Sequence, residues 1–160
     1  MKTEALRELL GKLPDPEIPV ITIEELGILR EVSADKDGVL VKITPTYSGC
    51  PAMKQIEDDI GTMLREAGVH NFKVEMVYDP PWTTDWISES AKEKLREYGI
   101  APPEKSTPDK SALSINSKKI PCPRCKSENT EMISQFGSTA CKALHRCLDC
   151  LEPFDYFKCL

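Results

Sequence analysis

Apolar residues recur at helical spacing at the start of the chain and again after residue 50. Leu6, Leu9, Leu10 and Leu13 occupy positions i, i+3, i+4 and i+7 behind a Thr3 cap, which predicts an amphipathic helix. A second helix is expected to begin at Pro51 and to stop at Gly68. Its apolar stripe consists of Met53, Ile56, Ile60, Met63, Leu64 and Ala67.

Three segments have the pattern of β-strands. Residues 28–35 (ILREVSAD) and 39–47 (VLVKITPTY) flank a turn at Gly38, which predicts a β-hairpin. Residues 72–79 (FKVEMVYD) alternate between a drier and a wetter face, as a strand does. A last helix is predicted over residues 85–98. The order hairpin, helix, strand, helix predicts an α+β fold, a small sandwich of helices on a short mixed sheet.

Residues 101–119 separate two parts of the chain. The segment contains three prolines and four serines with little apolar periodicity, which is typical of a flexible linker. The predicted organisation is a domain at residues 1–100, a linker at 101–119 and a small domain at 120–160.

Composition and charge limit the classes of partner. The chain has 160 residues, 40% of them hydrophobic, and a net charge of -5, which suits a globular protein with one core and an annex. Residues 1–103 carry 12 basic against 19 acidic side chains, so a nucleic-acid partner is not expected. No apolar run reaches the ~18 residues of a membrane span. The N-terminus lacks the pattern of a signal peptide, so we expect the protein in the cytoplasm and away from membranes.

Six of the seven cysteines follow residue 121, and four of them form two pairs with metal-ligand spacing. Cys122 and Cys125 (CPRC) precede Cys147 and Cys150 (CLDC) by 21 intervening residues. This layout predicts a four-cysteine zinc ribbon, a β domain with one structural zinc per chain, and iron in the same site is the alternative. About 40 residues bury too little surface to fold alone, so the metal should supply much of their stability.

Other residues of the tail are expected in supporting places. Residues 130–136 and 152–159 have strand composition, and the apolar surface is expected from Phe136, Phe154, Tyr156 and Phe157. Five basic residues are expected to offset the negative charge of the metal site: Arg124, Lys126, Lys142, Arg146 and Lys158.

Three further residues of the tail leave alternatives open. Cys141 and Cys159 are either buried small residues or a second thiol pair that takes part in metal transfer. His145 is interpreted as a solvated neighbour of the metal site and not as a ligand.

Cys50 is the single cysteine among the first 121 residues, and it lies in the stretch Gly49-Cys50-Pro51. Pro51 suits the first position of a helix, which makes Cys50 the N-cap or its neighbour. The N–H groups and dipole of a helix start favour the thiolate, so we expect a lowered pKa. A buried structural cysteine is the alternative, and no nearby histidine supports a cysteine hydrolase.

The stretch DPPWTTDW, residues 79–86, is a second candidate surface. Its paired prolines hold the chain extended, and Trp82 could be an interface anchor. The favoured alternative is that Trp82 and Trp86 pack under the last helix.

Four motifs carry a family resemblance: DPEIP at residues 15–19, ELG at 25–27, TPTYSGCPA at 44–52 and VYDPPWTTDWIS at 77–88. They resemble the SufT-like family of small iron-sulfur assembly factors. The tail motifs ISQFGSTACKA and CLEPFDYFKC, added to that domain, are similar to the PaaD family associated with bacterial phenylacetyl-CoA epoxidase.

The resemblance implies a function and a set of site residues. It implies a non-catalytic maturation factor for iron-sulfur or di-iron centres in aerobic phenylacetate degradation. Cys50 then matches the reactive thiol and transient ligand of iron or a cluster, with Asp15, Glu17 and Thr46 in support. Asp15 is either an oxygen ligand or, as we favour, the cap of a turn.

The implied partners are the di-iron subunit or iron-sulfur reductase of the epoxidase and the iron-sulfur assembly machinery. One thiol per chain is too few for a cluster, so a homodimer bridged by two Cys50 thiols, or a partner that supplies further ligands, is a hypothesis. The rival function is a structural or regulatory subunit of the oxygenase that docks through its zinc ribbon.

Overall fold

A computed structural model describes residues 2–103 and 119–158 and divides the chain into two compact units, Met1–Ser88 and Glu89–Leu160. In the first unit the elements are α1 (Thr3–Leu10), β1 (Leu29–Ala34), β2 (Val39–Ile43), α2 (Ala52–Glu66), β3 (Phe72–Met76) and a short 3-10 helix (Thr84–Trp86). The sheet order is β1-β2-β3, with β1 antiparallel and β3 parallel to β2. The predicted α+β fold with a short mixed sheet is confirmed.

The core of the first unit lies between the two helices, the sheet and the loop that joins α1 to β1. Leu6 and Leu10 of α1 and Ile60 of α2 are at most 1% exposed. The loop also contributes Leu13, Ile18, Ile21, Ile23, Leu26 and Ile28, all buried. The proline-containing loop between α1 and β1 therefore supplies a large part of the core.

The β2-α2-β3 connection positions the first candidate site. Parallel strands require a crossover, and α2 supplies it. Ile43 pairs with Met76, so β2 and β3 end side by side where α2 begins. The carboxyl edge of a parallel pair, beside a helix start, is a common place for ligand sites.

The second unit contains α3 (Glu89–Tyr98), β4 (Ile100–Ala101), β5 (Thr130–Ser134), β6 (Lys142–Cys147) and β7 (Pro153–Phe157). These strands form a sheet of order β4-β7-β6-β5. A small buried cluster includes Ala101, Ile120, Cys122, Cys147 and Phe154, with Tyr156 packed against it. Two of its members are cysteines, so metal site and core are continuous.

The structure departs from the expected elements at several points. The predicted last helix is divided into the 3-10 helix and α3, because Ile87 between them has an extended backbone, with φ of -69° and ψ of 125°. Strand β6 was not predicted. Phe136 is 66% exposed and lies under the Lys158 ammonium instead of joining the apolar surface.

The limits of the two domains stay predictions. Ala101 pairs with Tyr156 as part of β4, whereas the sequence places Ala101 at the start of the linker. The structure also groups α3 with the second unit. Residues 104–118, most of the predicted linker, lie outside the described residues.

Membrane-spanning character is absent from the helices of residues 2–103 and 119–158, since none combines the required length with sufficient apolarity.

Candidate metal centre and reactive thiol

Four cysteine sulfurs of the second unit converge on one point. The Sγ atoms of Cys122, Cys125, Cys147 and Cys150 lie within 4.8 Å of one another. Sγ of Cys122 is 3.7 Å from that of Cys150, and Sγ of Cys125 is 3.5 Å from that of Cys147. A tetrahedral zinc with bonds of about 2.3 Å separates its sulfur ligands by about 3.8 Å. The four thiols therefore fit zinc, which would serve as a structural ion.

The two cysteine pairs are held by turns of the same kind. The residue after each second cysteine, Lys126 and Leu151, has a φ of 64°, in the left-handed region that usually takes glycine. The Lys126 N–H donates to the Cys122 carbonyl at 2.9 Å. The Cys150 N–H points at Sγ of Cys147, 3.5 Å away. Such N–H groups orient thiolates and stabilise their charge.

The ionisation of the four thiols is unequal. The Cys150 N–H is the largest cause of a pKa of about 7 at Cys147. At Cys150 the Glu152 N–H lowers the pKa, but burial and the hydrogen bonds of the other three thiols outweigh it and raise the pKa to about 12. Cys147 is thus partly a thiolate near neutral pH, whereas Cys150 keeps its proton until a cation replaces it.

The basic residues expected to offset the metal site are mostly engaged elsewhere. Arg124 pairs with Glu152 at 2.6 Å, Arg146 pairs with Glu131, and Lys158 donates to the Gln135 carbonyl. Lys142 donates to Ser138 Oγ at 3.0 Å. These ion pairs and hydrogen bonds therefore explain four of the five, and Lys126 directly follows Cys125.

His145 corrects another expectation. It is 6% exposed, not solvated, and it lies between the rings of Phe154 and Tyr156. Burial lowers its pKa, so it is neutral near pH 7. It is not part of the four-cysteine group.

Cys141 is 3% exposed, and its Sγ is 3.0 Å from Thr139 Oγ1. This placement agrees with the buried-residue alternative. Cys159 lies outside the described residues, so the second alternative, a thiol pair, stays a hypothesis.

Cys50 occupies a different setting in the first unit. Helix α2 begins at Ala52 with Pro51 as its N-cap, so Cys50 is the neighbour of the cap. Gly49 has a φ of 79° and open space where a side chain would be. An open pocket of about 310 Å³ adjoins the thiol. Its lining residues are Pro45, Gly49, Cys50, Met53, Lys54, Glu57, Met76 and Tyr78.

The pKa of Cys50 is raised, and the prediction of a lowered pKa is wrong. Burial is the largest cause, and the negative charges of Glu17 and Asp15 act in the same direction. The Ala52 N–H and the Tyr47 side chain lower the pKa but do not compensate. The helix start is present, yet desolvation and two carboxylates dominate.

The residues predicted to support Cys50 lie in several places. Asp15 is 5% exposed, and its Oδ1 accepts hydrogen bonds from the Glu17 and Ile18 N–H groups at 2.9 and 2.8 Å. It therefore caps the turn, as favoured. Thr46 is half-buried and is not among the pocket-lining residues. Their roles toward a ligand stay predictions.

Sequence reasoning did not assign Met76 and Tyr78 to the site. They are 36% and 62% exposed and lie at the end of β3. The signal that could have found them is the parallel crossover, which brings the end of β3 beside the start of α2.

Trp82 packs in the first unit, and its position relative to the last helix stays a prediction. It is 6% exposed, and its Nε1 donates to the Leu26 carbonyl at 2.8 Å. Trp86 lies against Gly27, and the Arg30 guanidinium stacks on its ring, 3.8 Å from the centroid. The tryptophans thus join residues 77–88 to the ELG turn.

Comparison with known proteins gives one family match in the N-terminal part of the chain and another in the C-terminal part. Residues 3–77 match a family described as iron-sulfur cluster assembly protein, and residues 106–158 match the PaaD zinc beta ribbon domain. The chain is 49% identical over 152 residues to a protein of Escherichia coli whose name designates it a subunit of a "Putative 1,2-phenylacetyl-CoA epoxidase". The match covers 95% of this chain and 90% of that protein.

The first unit also has relatives that lack the tail. The Fe-S protein maturation auxiliary factor SufT of Staphylococcus aureus is 41% identical over 80 residues, covering 49% of this chain and 90% of that protein. A crystal structure of a domain of unknown function, DUF59, from Bacillus anthracis matches with a TM-score of 0.53 and 31% identity. It covers 58% of this chain and 90% of that one.

Proposed function

The chain belongs to the PaaD-like family, which joins an iron-sulfur cluster assembly domain to a zinc β-ribbon, and on this premise we propose that it is a maturation factor that delivers iron or a cluster. Its clients would be the di-iron subunit or the iron-sulfur reductase of the phenylacetyl-CoA epoxidase system. The protein itself would catalyse no reaction on the organic substrate, and it would work in the cytoplasm with the iron-sulfur assembly machinery.

The observation that carries this proposal is the setting of Cys50. A single thiol lies in an open pocket where two parallel strands end and α2 begins. Among residues 2–103 and 119–158, the four ribbon cysteines are the one group of three or more metal-ligating side chains that could share an ion. A lone thiol binds a metal weakly and can release it.

The protonated state of Cys50 supports exchange. A cation must displace the proton before sulfur can bind it, so affinity rises with pH. Asp15 and Glu17 supply negative charge that attracts the cation, although the same charge raises the pKa of the thiol. The thiol is therefore idle until cargo arrives, and partner ligands or a second Cys50 would complete the coordination.

The test is the iron content of each epoxidase component produced together with the wild type, Cys50→Ser or Cys141→Ser. We expect Cys50→Ser to lower the iron content of one component several-fold. Cys141→Ser is the matched control, since that thiol is buried outside the four-cysteine group. Unchanged iron with Cys50→Ser would contradict the proposal.

A structural or regulatory subunit of the oxygenase is the second candidate, because the Escherichia coli relative is named as an epoxidase subunit. In that case the protein would purify with the oxygenase in fixed stoichiometry, and the ribbon would be its docking module. Loss of this association on Cys147→Ser, with iron loading intact in Cys50→Ser, would favour this function.

A further inference from the structure

Strand β3 forms one edge of the sheet in the first unit and, within the described part of the chain, pairs with β2 alone. Two hydrogen bonds at its ends show which backbone groups face β2. The Val77 N–H donates to the Ile43 carbonyl at 2.8 Å, and the Asn71 carbonyl accepts from the Val39 N–H at 3.0 Å. Residues 71 and 77 therefore turn their backbone groups inward.

Backbone direction alternates along a strand, so residues an even number apart point to the same side. Lys73 and Glu75 consequently share the inward direction of residues 71 and 77. Phe72, Val74 and Met76 present their N–H and C=O groups at the outer edge. Such a row of groups is a template for pairing with another extended chain.

This outer edge is accessible and leads to the thiol pocket. Every residue of Phe72–Met76 is at least partly exposed. Met76 and, two residues on, Tyr78 are exposed apolar side chains that line the pocket of Cys50. A chain that pairs with β3 would therefore pass beside the thiol.

The charge around the Cys50 pocket indicates the charge of the segment that would pair with β3. Asp15 and Glu17 act electrostatically on Cys50, and Glu57 lines the pocket. Lys54 is the basic residue of the lining, but Asp58 and Glu57 bind its ammonium at 3.0 and 3.6 Å. The lining thus contains one carboxylate and one ammonium that carboxylates already bind, and Asp15 and Glu17 add negative charge near Cys50. Basic side chains complement this charge.

The number of sulfur ligands indicates which side chain the docked segment carries. An iron-sulfur cluster normally takes four sulfur ligands, and this unit contributes Cys50 alone. We propose that the outer edge of β3, with Met76 and Tyr78, docks an extended segment of the recipient protein that carries a cysteine between basic flanks. This proposal rests on the delivery function, and it names the surface and the chemistry of the partner.

The exchange balances without a redox step. The recipient thiol loses its proton as its sulfur bonds to the metal, and Cys50 gains a proton as its own bond to the metal breaks. Pairing along β3 fixes the register, so the incoming cysteine arrives at the pocket and not elsewhere on the strand.

The experiment uses the full chain and the peptide Lys-Arg-Val-Thr-Cys-Thr-Val-Arg-Lys as probe. We expect hydrogen exchange of the Val74 and Met76 amides to slow about tenfold at saturation, with little change at Lys73 and Glu75, whose amides already bond to β2. A peptide with Glu and Asp in place of Lys and Arg should bind at least about tenfold more weakly.

Val74→Pro tests the backbone contact directly. Proline removes an outward N–H and leaves the ladder with β2 intact, which edge strands tolerate. Val74→Ala is the matched control, because it loses the same side chain and keeps the N–H. Proline should abolish binding of the basic peptide, and alanine should retain it within about threefold.

Equal binding by Val74→Pro and Val74→Ala, or no binding of the basic peptide, would overturn the docking surface. A dimer of the free protein that Val74→Pro dissociates would assign the edge to a second copy and would also overturn it. If Cys50→Ser leaves client iron unchanged while the peptide still protects β3, the delivery function fails and the docking surface stands.

Discussion

The four-cysteine site and Cys50 are both sulfur sites, but they differ in the number of sulfur ligands and in their surroundings. The ribbon offers four sulfurs within 4.8 Å of one another, and two of these cysteines belong to a buried cluster. Cys50 offers one half-buried sulfur beside an open pocket. A closed all-thiolate site retains its metal, whereas a single thiol can release one. On the proposed function, this difference would separate a metal that maintains the fold from a metal that is cargo.

Loss of one ribbon ligand should have the largest effect. Cys147→Ser should abolish stoichiometric zinc and unfold the ribbon, since structural zinc contributes on the order of 10 kcal/mol in small domains. Zinc analysis measures the bound metal, and amide hydrogen exchange of β6 and β7 measures unfolding of the ribbon. Cys141→Ser should keep the zinc. A brown protein that loses its colour in Cys147→Ser would instead indicate iron in the ribbon.

A core truncation in the first unit should have the next largest effect. Ile60 is 0% exposed, so Ile60→Ala should lower the free energy of unfolding of that unit by about 3 kcal/mol. Urea denaturation followed by the fluorescence of Trp82 and Trp86, both in the first unit, measures this value. Zinc chelation should leave the unfolding transition of the first unit unchanged. Met76→Ala, at an exposed position, is the control and should lower the free energy of unfolding by less than about 1 kcal/mol. A first unit that unfolds with chelation would break the comparison.

The strained turn after Cys150 predicts a stabilising substitution. Leu151 is 70% exposed at a φ of 64°, so Leu151→Gly loses little packing and relieves strain. We expect a gain of up to about 1 kcal/mol in the stability of the zinc-bound ribbon. Leu148→Gly is the control, since Leu148 is not among the residues with positive φ, and it should destabilise. Equal effects would rule out strain as the cause.

Charge around Cys50 predicts the smallest effect. The pKa of Cys50 lies above its ordinary value, so alkylation by iodoacetamide should be slow at neutral pH and should reach half its maximal rate above the usual thiol range. Glu17→Gln removes a charge that raises the pKa, so more thiolate forms and the rate at pH 7.5 should rise roughly twofold. Glu8→Gln, on α1, should have no effect. A slower Glu17→Gln protein would contradict this account.

Local sequence pattern was sufficient to predict the ribbon ligands and most helices and strands of the first unit. The paired cysteine spacing predicted a four-sulfur group that the structure brings together. The hairpin, helix and strand appeared where periodicity placed them. Strand β6 was missed because Lys142 and His145 are buried in it, which hides its alternation from the sequence. Pairing with both β5 and β7 satisfies its backbone and maintains it as a strand.

The properties of the Cys50 pocket depend on residues distant in sequence, so local pattern could not give them. Residue 50 was correctly placed next to a helix start, and that position alone favours a thiolate. Glu17 and Asp15 approach from the preceding loop, and Met76 and Tyr78 approach from the end of β3. Burial and opposing charge are tertiary effects, and they reversed the direction of the pKa.

The protonated state of Cys50 also bears on how the protein withstands oxidants. Peroxide attacks the thiolate and converts it to sulfenic acid, and further oxidation is irreversible. Because burial and two carboxylates maintain Cys50 as a thiol near neutral pH, its oxidation should be slow. The same electrostatics therefore keep this residue in its less oxidisable form.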